Sequence, residues 1–261
     1  MYPEFIIRIN EALEPIGLGT FEILIGIGVV VMLNYVINAL EKTLGYSRKD
    51  TNRLLIFFGI GLAVTYLFSY FFDALFHYLE TGIFEGGITY IAGFIGGVIC
   101  FSLLIYFFMK PERKNILKIL NVIVPGILLA HAIGRLGCFT AGCCYGRETT
   151  GIFGVVFPEG TNPYADGIRT AIHPTQLYEA FFLFAMFFVL KYVPKIKEHR
   201  FSIYLMSYGV FRFCLELFFR GDSRGVLFGL PPSEILSVLM FMAGVIIIIF
   251  EFKKKKDLVS A

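Results

Sequence analysis

The chain has 261 residues, 57% of them hydrophobic and only 16% charged, with a mean hydropathy of +0.74. A water-soluble domain of this length has too little interior for so much apolar surface, so the composition excludes an ordinary soluble protein and makes lipid part of the solvent. The formal charge of +3 carries little by itself; where the positive charges stand carries more.

In chain order, residues 1–19 hold Glu4, Arg8, Glu11, Glu14 and two prolines, without a basic segment leading into an apolar one, and do not read as a secretory signal. Pro3 to Leu13 reads as a short interfacial helix with Phe5, Ile6, Ile9 and Leu13 as its apolar side. Seven stretches then approach the roughly 20 apolar residues that a spanning helix needs: Thr20–Leu40, Leu54–Leu79, Ile88–Met109, Ile116–Gly137, Pro174–Val193, Phe201–Phe219 and Ser233–Phe252. Glycines recur inside them, and the spacing of Gly93 and Gly97 suits close approach of two helices in lipid, where burial from water cannot drive association. The connection Cys138–Ile172 is rich in Gly, Pro and Thr and reads as an ordered outer-face loop region.

The loops set the orientation. Lys42–Arg53, Lys110–Lys118, Lys191–Arg200 and Lys253–Lys256 carry four Lys or Arg each. The loops between them are poorer: Thr81–Gly87 has none, Cys138–Ile172 only Arg147 and Arg169, and Arg220–Pro232 only Arg220 and Arg224. This alternation predicts an N-terminus outside and a C-terminus in the cytoplasm. The expected architecture is an all-α, polytopic, single integral membrane domain over residues 1–261, with about seven transmembrane helices.

Ionisable groups inside spans are costly and mark functional sites. Here they are His131 and Arg135 on the fourth span, Glu179 near the start of the fifth with His173 just before it, Arg212, Glu216 and Arg220 on the sixth, and Asp73 and His77 toward the end of the second. Under the predicted topology all lie in the outer half of the membrane. His131 and Arg135 are four apart and share a helix face, as do Arg212, Glu216 and Arg220 as a stripe. One reading is that Glu216 neutralises its arginine neighbours and glues helices together. On these two helices, however, arginines outnumber the one carboxylate, and converging guanidinium groups favour a multi-oxygen anion such as the phosphate of a lipid headgroup. His199, in a cytoplasmic loop, reads as incidental.

The cysteines divide similarly. Cys100 and Cys214 lie in apolar stretches, as small hydrophobes do. Cys138, Cys143 and Cys144 form C-x4-C-C and leave several readings open: a Cys138–Cys143 disulfide bracing the loop, a reactive thiol with its pKa lowered by arginine, a metal site with His131, or inert packing. The spacing matches no common ligand pattern, so no metal or cofactor is expected.

Three segments together resemble the bacterial prolipoprotein diacylglyceryl transferase family: Gly134-Arg135-Leu136-Gly137 followed by Gly142 and Gly146, then His173-Pro174-Thr175-Gln176-Leu177-Tyr178-Glu179, then Tyr208-Gly209-Val210-Phe211-Arg212 with Glu216. The pair Gly86-Gly87 before the third span matches as well, and the resemblance covers nearly the whole chain. It implies transfer of the diacylglyceryl group of phosphatidylglycerol to a cysteine thiol of a lipoprotein precursor, at the outer face of a bacterial cytoplasmic membrane, with release of glycerol phosphate. By resemblance Arg135 and Arg212 are phosphate-side groups and Glu216 orients Arg212 or assists proton transfer. Gly86, Gly87, Gly137, Gly142, Gly146, His173, Gln176, Tyr178, Glu179, Tyr208 and Arg220 line the substrate site, and His131, Cys138 and Cys143 join the catalytic set.

The chain departs from the family pattern where Tyr90-Ile91-Ala92 replaces a histidine, where Cys138 and Cys143 replace an asparagine and an acidic residue, and where Gly26 stands for a first-helix tyrosine. His131, one turn before Arg135, is the residue placed to supply the missing imidazole. The expected partners are a phospholipid, with phosphatidylglycerol first, and the signal peptide of a lipoprotein precursor; no nucleic-acid motif is seen. Two other functions fit buried charge or thiols: a small membrane transporter or channel, and a thiol-dependent membrane redox protein. The one-sided placement of the charges disfavours the first.

Overall fold

The computed structural model describes residues 2–84, 89–221 and 230–260, with Glu80 and residues 254–260 described in backbone only. Among these residues the regular elements are all helical: α1 Glu4–Leu13, α2 Thr20–Asn38, α3 Arg48–Thr81, α4 Tyr90–Phe108, α5 Ile116–Ala141, α6 Asn162–Ala165, α7 Thr175–Tyr192, α8 Arg200–Phe219 and α9 Pro232–Ser260. Extended pairing among them is limited to isolated bridges, such as Gly146 with Arg220 and Val155 with Ile172.

Six helical segments are long and apolar enough to cross a bilayer: Thr20–Thr43, Arg48–Leu79, Tyr90–Phe108, Lys110–Ala141, Pro194–Phe219 and Pro232–Lys253. Each of the seven expected stretches falls on a helix. The fifth, α7, has 18 residues, and its first turns carry Gln176 and Glu179, which dilute its hydropathy. The long helices keep large apolar side chains outward, including Phe71, Phe181 and Phe218, all more than half exposed. Outward faces of this kind need lipid around them, and the protein is an all-α polytopic membrane protein.

The chain forms two compact units, one made of Met1–Val36, Pro125–Pro194 and Leu217–Ser223, the other of Ile37–Val124, Lys195–Glu216 and Arg224–Ala261.

In the first unit α2 packs on the C-terminal half of α5. A Cβ on Gly28 would stand 3.2 Å from the Ala130 carbonyl, and one on Gly137 would stand 3.2 Å from the Phe21 ring, so the absence of side chains sets this approach. The connection Cys138–Ile172 is ordered over a small core of Tyr2, Ile6, Phe139, Tyr145, Phe157 and Ile172. The Tyr2 hydroxyl donates to the Thr140 carbonyl at 2.6 Å, and burial raises its pKa to about 12. Helix α1 is present as expected, but its predicted apolar side divides: Ile6 is buried in this core while Phe5 and Ile9 are exposed. Packing against the loop, rather than an interface alone, selects the inward residue.

In the second unit α3 starts at an N-cap, where Ser47 Oγ accepts from the Asp50 amide, and ends at Gly82 with φ 74°. Helix α4 lies against it along Gly93, Gly96 and Gly97. A Cβ on Gly93 would come within 2.6 Å of the Thr65 carbonyl, and one on Gly97 within 2.0 Å of Thr65 Oγ1, so the spacing seen in the sequence is the contact itself. Gly209 on α8 similarly admits the Ser237 carbonyl of α9. At one end of the unit Asn121 Nδ2 donates to the Glu198 carbonyl at 2.6 Å and the Phe201 amide donates to Asn121 Oδ1 at 2.7 Å. His199 Nδ1 lies 2.5 Å from Glu251 Oε2, which also accepts from Ser202 Oγ. His199 is therefore not incidental: it is largely buried and ties the start of α8 to α9.

Candidate functional site

Most of the expected site residues lie in the first unit. Helix α5 presents His131 and Arg135 on one face, one turn apart, and α7 brings Glu179 to both. Arg135 Nε is 3.1 Å from Glu179 Oε1, and His131 Nε2 is 3.5 Å from the same oxygen. All three side chains are at least nine-tenths buried. Glu179 comes from a third helix and offsets Arg135 where it stands, which reduces the excess of arginines inferred from two helices but leaves Arg135, Arg212 and Arg220 against two carboxylates. The facing carboxylate offsets the cost of taking a guanidinium out of water.

At the end of α5 the chain turns back through Gly142 (φ 68°) and Cys144 (φ 62°), and the latter is the one non-glycine residue with positive φ among those described. The thiols of Cys138, Cys143 and Cys144 converge, with their sulfurs within 4.8 Å of one another, and no disulfide joins them. Arg135 Nη1 reaches to 4.0 Å from Cys138 Sγ. Hydrogen bonding with the Cys138 and Cys144 thiols, followed by burial, pushes the Cys143 thiol above its ordinary pKa. That direction is opposite to the one a reactive thiolate at Cys143 requires.

The first turn of α7 fixes this corner from below. Gln176 Nε2 donates to the Cys143 carbonyl at 2.6 Å and Thr175 Oγ1 to the Cys144 carbonyl at 2.8 Å, both from fully buried side chains. His173 Nδ1 and the Tyr178 hydroxyl lie 3.0 Å apart, and both rings pack edge-on against Phe219. Burial, and then the charge of Arg147, lower the His173 pKa below its ordinary value. Gly146 is closed in on two sides: its amide donates to the His173 carbonyl, and a Cβ there would meet the Phe219 carbonyl at 2.6 Å. Arg220 stands one residue past the end of α8, bridged to Gly146, so it does not continue a helical stripe.

The second unit holds Tyr208, Arg212 and Glu216. Arg212 Nη2 is 3.0 Å from Glu216 Oε2 along α8, and both are buried. Tyr90 lies 3.2 Å hydroxyl to hydroxyl from Tyr204, and its ring meets Tyr208 edge-on. Thr89 Oγ1 donates to Asp73 Oδ1, giving that carboxylate a partner across the hairpin. Gly86 and Gly87 lie outside the described residues. The Glu179 and Tyr204 pairings escape a reading along single helices, because the partners come from different ones.

A groove of about 460 Å³ in the first unit is almost wholly apolar and runs along Ile6, Ile9, Ile23, Leu24, Leu136 and Phe139. Leu136 follows Arg135 in the chain, so the groove runs past the stretch of α5 that carries Arg135.

A family model described as prolipoprotein diacylglyceryl transferase matches residues 9–250. A phosphatidylglycerol–prolipoprotein diacylglyceryl transferase of Clostridium tetani is 37% identical over 169 residues, which are 62% of this chain and 66% of that protein. A second, from Clostridium perfringens, is 35% identical over 63% of this chain and 62% of its own length. One from Pseudoalteromonas translucida is 30% identical over 75% of this chain and 70% of its own. The match thus spans somewhat under two thirds of the length of the two clostridial relatives.

Proposed function

The chain belongs to the prolipoprotein diacylglyceryl transferase family, and from that premise we propose that it transfers the diacylglyceryl group of phosphatidylglycerol to a lipoprotein-precursor cysteine. The observation that carries this reading is Arg135: a buried guanidinium held by Glu179 and next in sequence to an apolar groove residue, in a segment with the family's glycine-arginine pattern.

In the proposed reaction the precursor's sulfur attacks the glyceryl carbon bonded to the phosphate oxygen. A C–S bond forms, the C–O bond breaks, and glycerol phosphate leaves with the electron pair. The thiol proton must go to a base. His131, beside Glu179 Oε1 at 3.5 Å, takes that role here. Arg135 stabilises the charge growing on the phosphate oxygens, which is the kind of interaction that strengthens toward the transition state. Arg212, oriented by Glu216 at 3.0 Å, is assigned the same duty by the family segment in which it lies. The groove of about 460 Å³ has the apolar lining that an acyl chain takes. Gly137 admits Phe21 of α2 against α5, Gly142 and Gly146 keep the turn beyond α5 thin, and His173, Gln176 and Tyr178 brace it.

We place the protein in a bacterial cytoplasmic membrane as one seven-helix domain, with α7 as a span, the N-terminus outside and Cys138–Ile172 at the outer face. Besides the loop charges, contacts within the second unit support this topology. Tyr46 bonds to Glu112, Asn121 to Glu198, and His199 to Glu251, linking neighbours of all four basic segments as a shared cytoplasmic face requires.

The test is complementation of a bacterial strain depleted of its own transferase, read by mass spectrometry of lipoprotein N-terminal peptides. Diacylglyceryl-modified cysteine is expected; unmodified precursor in cells that express the folded protein rejects the reading.

A further inference from the structure

The C-x4-C-C cluster is not used by the reaction above, and the fold treats it as a built site. Its three sulfurs lie within 4.8 Å of one another although they come from the end of α5 and from the turn beyond it. A thiolate-bound zinc, with metal–sulfur bonds near 2.3 Å, needs sulfur separations of about 3.8 Å, so roughly an ångström of side-chain adjustment closes the triangle.

The backbone is already arranged for this. The Cys143 amide donates to the Cys138 carbonyl at 3.1 Å, and the Cys143 and Cys144 carbonyls are held by Gln176 and Thr175. Cys144 occupies the left-handed region, which a non-glycine residue enters at a cost of order 1 kcal/mol, and such outliers persist where the surroundings impose them. Gln176 Oε1 is buried without a hydrogen-bond partner, leaving an acceptor beside the corner for a water on the fourth position of a three-thiolate ion.

We propose that Cys138, Cys143 and Cys144 bind one thiophilic d10 cation, of which Zn²⁺ and Cd²⁺ are the working probes. Binding replaces three S–H protons by three metal–sulfur bonds: the three thiols and one dication give a complex of charge −1 and three released protons, with no electron transferred. Arg135, 4.0 Å from Cys138 Sγ, supplies a positive charge beside that anionic complex. Sulfur donors without a carboxylate among them select against Mg²⁺ and Ca²⁺. A disulfide would use two of the sulfurs and leave the third without a role, whereas a single ion engages all three. The site braces the end of the helix that carries His131 and Arg135.

The full-length protein, purified in detergent under anaerobic reductant and freed of metal by a chelator, is titrated with Cd²⁺ and followed by thiolate-to-metal charge-transfer absorbance. Zn²⁺ retained after gel filtration is counted by mass spectrometry. One ion per chain is expected, with Cys138, Cys143 and Cys144 protected from alkylation. Replacing any one by serine should weaken binding at least about 100-fold, beyond the usual cost of disturbing an outer-shell partner, while Cys100→Ser and Cys214→Ser leave it unchanged. Absence of the band in fully reduced wild-type protein overturns the proposal, as does a band that survives in all three single variants, or a Cys138–Cys143 disulfide in protein taken directly from membranes. The readout needs no lipid turnover, so its failure is separate from failure of the transferase reading.

Discussion

Arg135 Nε stands 3.1 Å from Glu179 Oε1, which joins α5 to α7 through a pair of charges both more than nine-tenths buried. Breaking such a pair from one side strands a charge at about 3–5 kcal/mol, whereas removing both charges is far cheaper. Arg135→Gln and Glu179→Gln should therefore each lower the unfolding temperature, and the double variant should recover most of the loss. Thermal unfolding in detergent measures this, and simple additivity of the two losses would mean the contact contributes nothing.

Arg212 and Glu216 offer a test of chemistry apart from fold. Arg212→Lys keeps the positive charge but loses the planar fork that matches phosphate oxygens. Turnover of phosphatidylglycerol should fall by about 100-fold or more, with unfolding temperature changed little compared with Arg212→Ala.

Helix contact between α3 and α4 makes a differential prediction. Gly97→Ala drives a methyl into Thr65 Oγ1, a side-chain atom, whereas Gly93→Ala drives one into the Thr65 carbonyl. Each should destabilise by about 1–3 kcal/mol. Adding Thr65→Ala should relieve the first and leave the second, as judged by thermal unfolding of the four variants.

His173 gives a pH signature. Its pKa is lowered in the fold, so below the ordinary value of 6.5 the unfolded chain takes up a proton that the folded one resists. Stability is then complete above that pH and declines as the pH falls toward the folded pKa. His173→Gln should flatten the decline in that window, measured as unfolding temperature against pH.

How far these features could be read in the sequence depends on whether the signal is local. The helices were legible because lipid demands long apolar runs, and Gly93 and Gly97 marked a contact by spacing alone. The shortfall of α7 in apolar length follows from Gln176 and Glu179, which serve the site rather than the membrane. Counting charges along single helices found the acidic residue but not its partner: Glu179 meets Arg135 and His131 from another helix. His199 looked idle because Glu251, its partner, lies 52 residues further on. The stripe through Arg220 assumed a helix that ends at Phe219. The cysteine spacing resembled no ligand pattern because the left-handed turn at Cys144, which no sequence period encodes, is what folds the three thiols together.

The most direct test of the transferase account uses purified protein in phosphatidylglycerol vesicles, with a lipoprotein-precursor peptide added. Release of glycerol phosphate should match, mole for mole, the diacylglyceryl mass gained by the peptide's cysteine, and both should fall at least about 100-fold in Arg135→Gln and in Arg212→Gln. Release that never appears with folded wild-type protein, or that continues undiminished in both arginine variants, contradicts it.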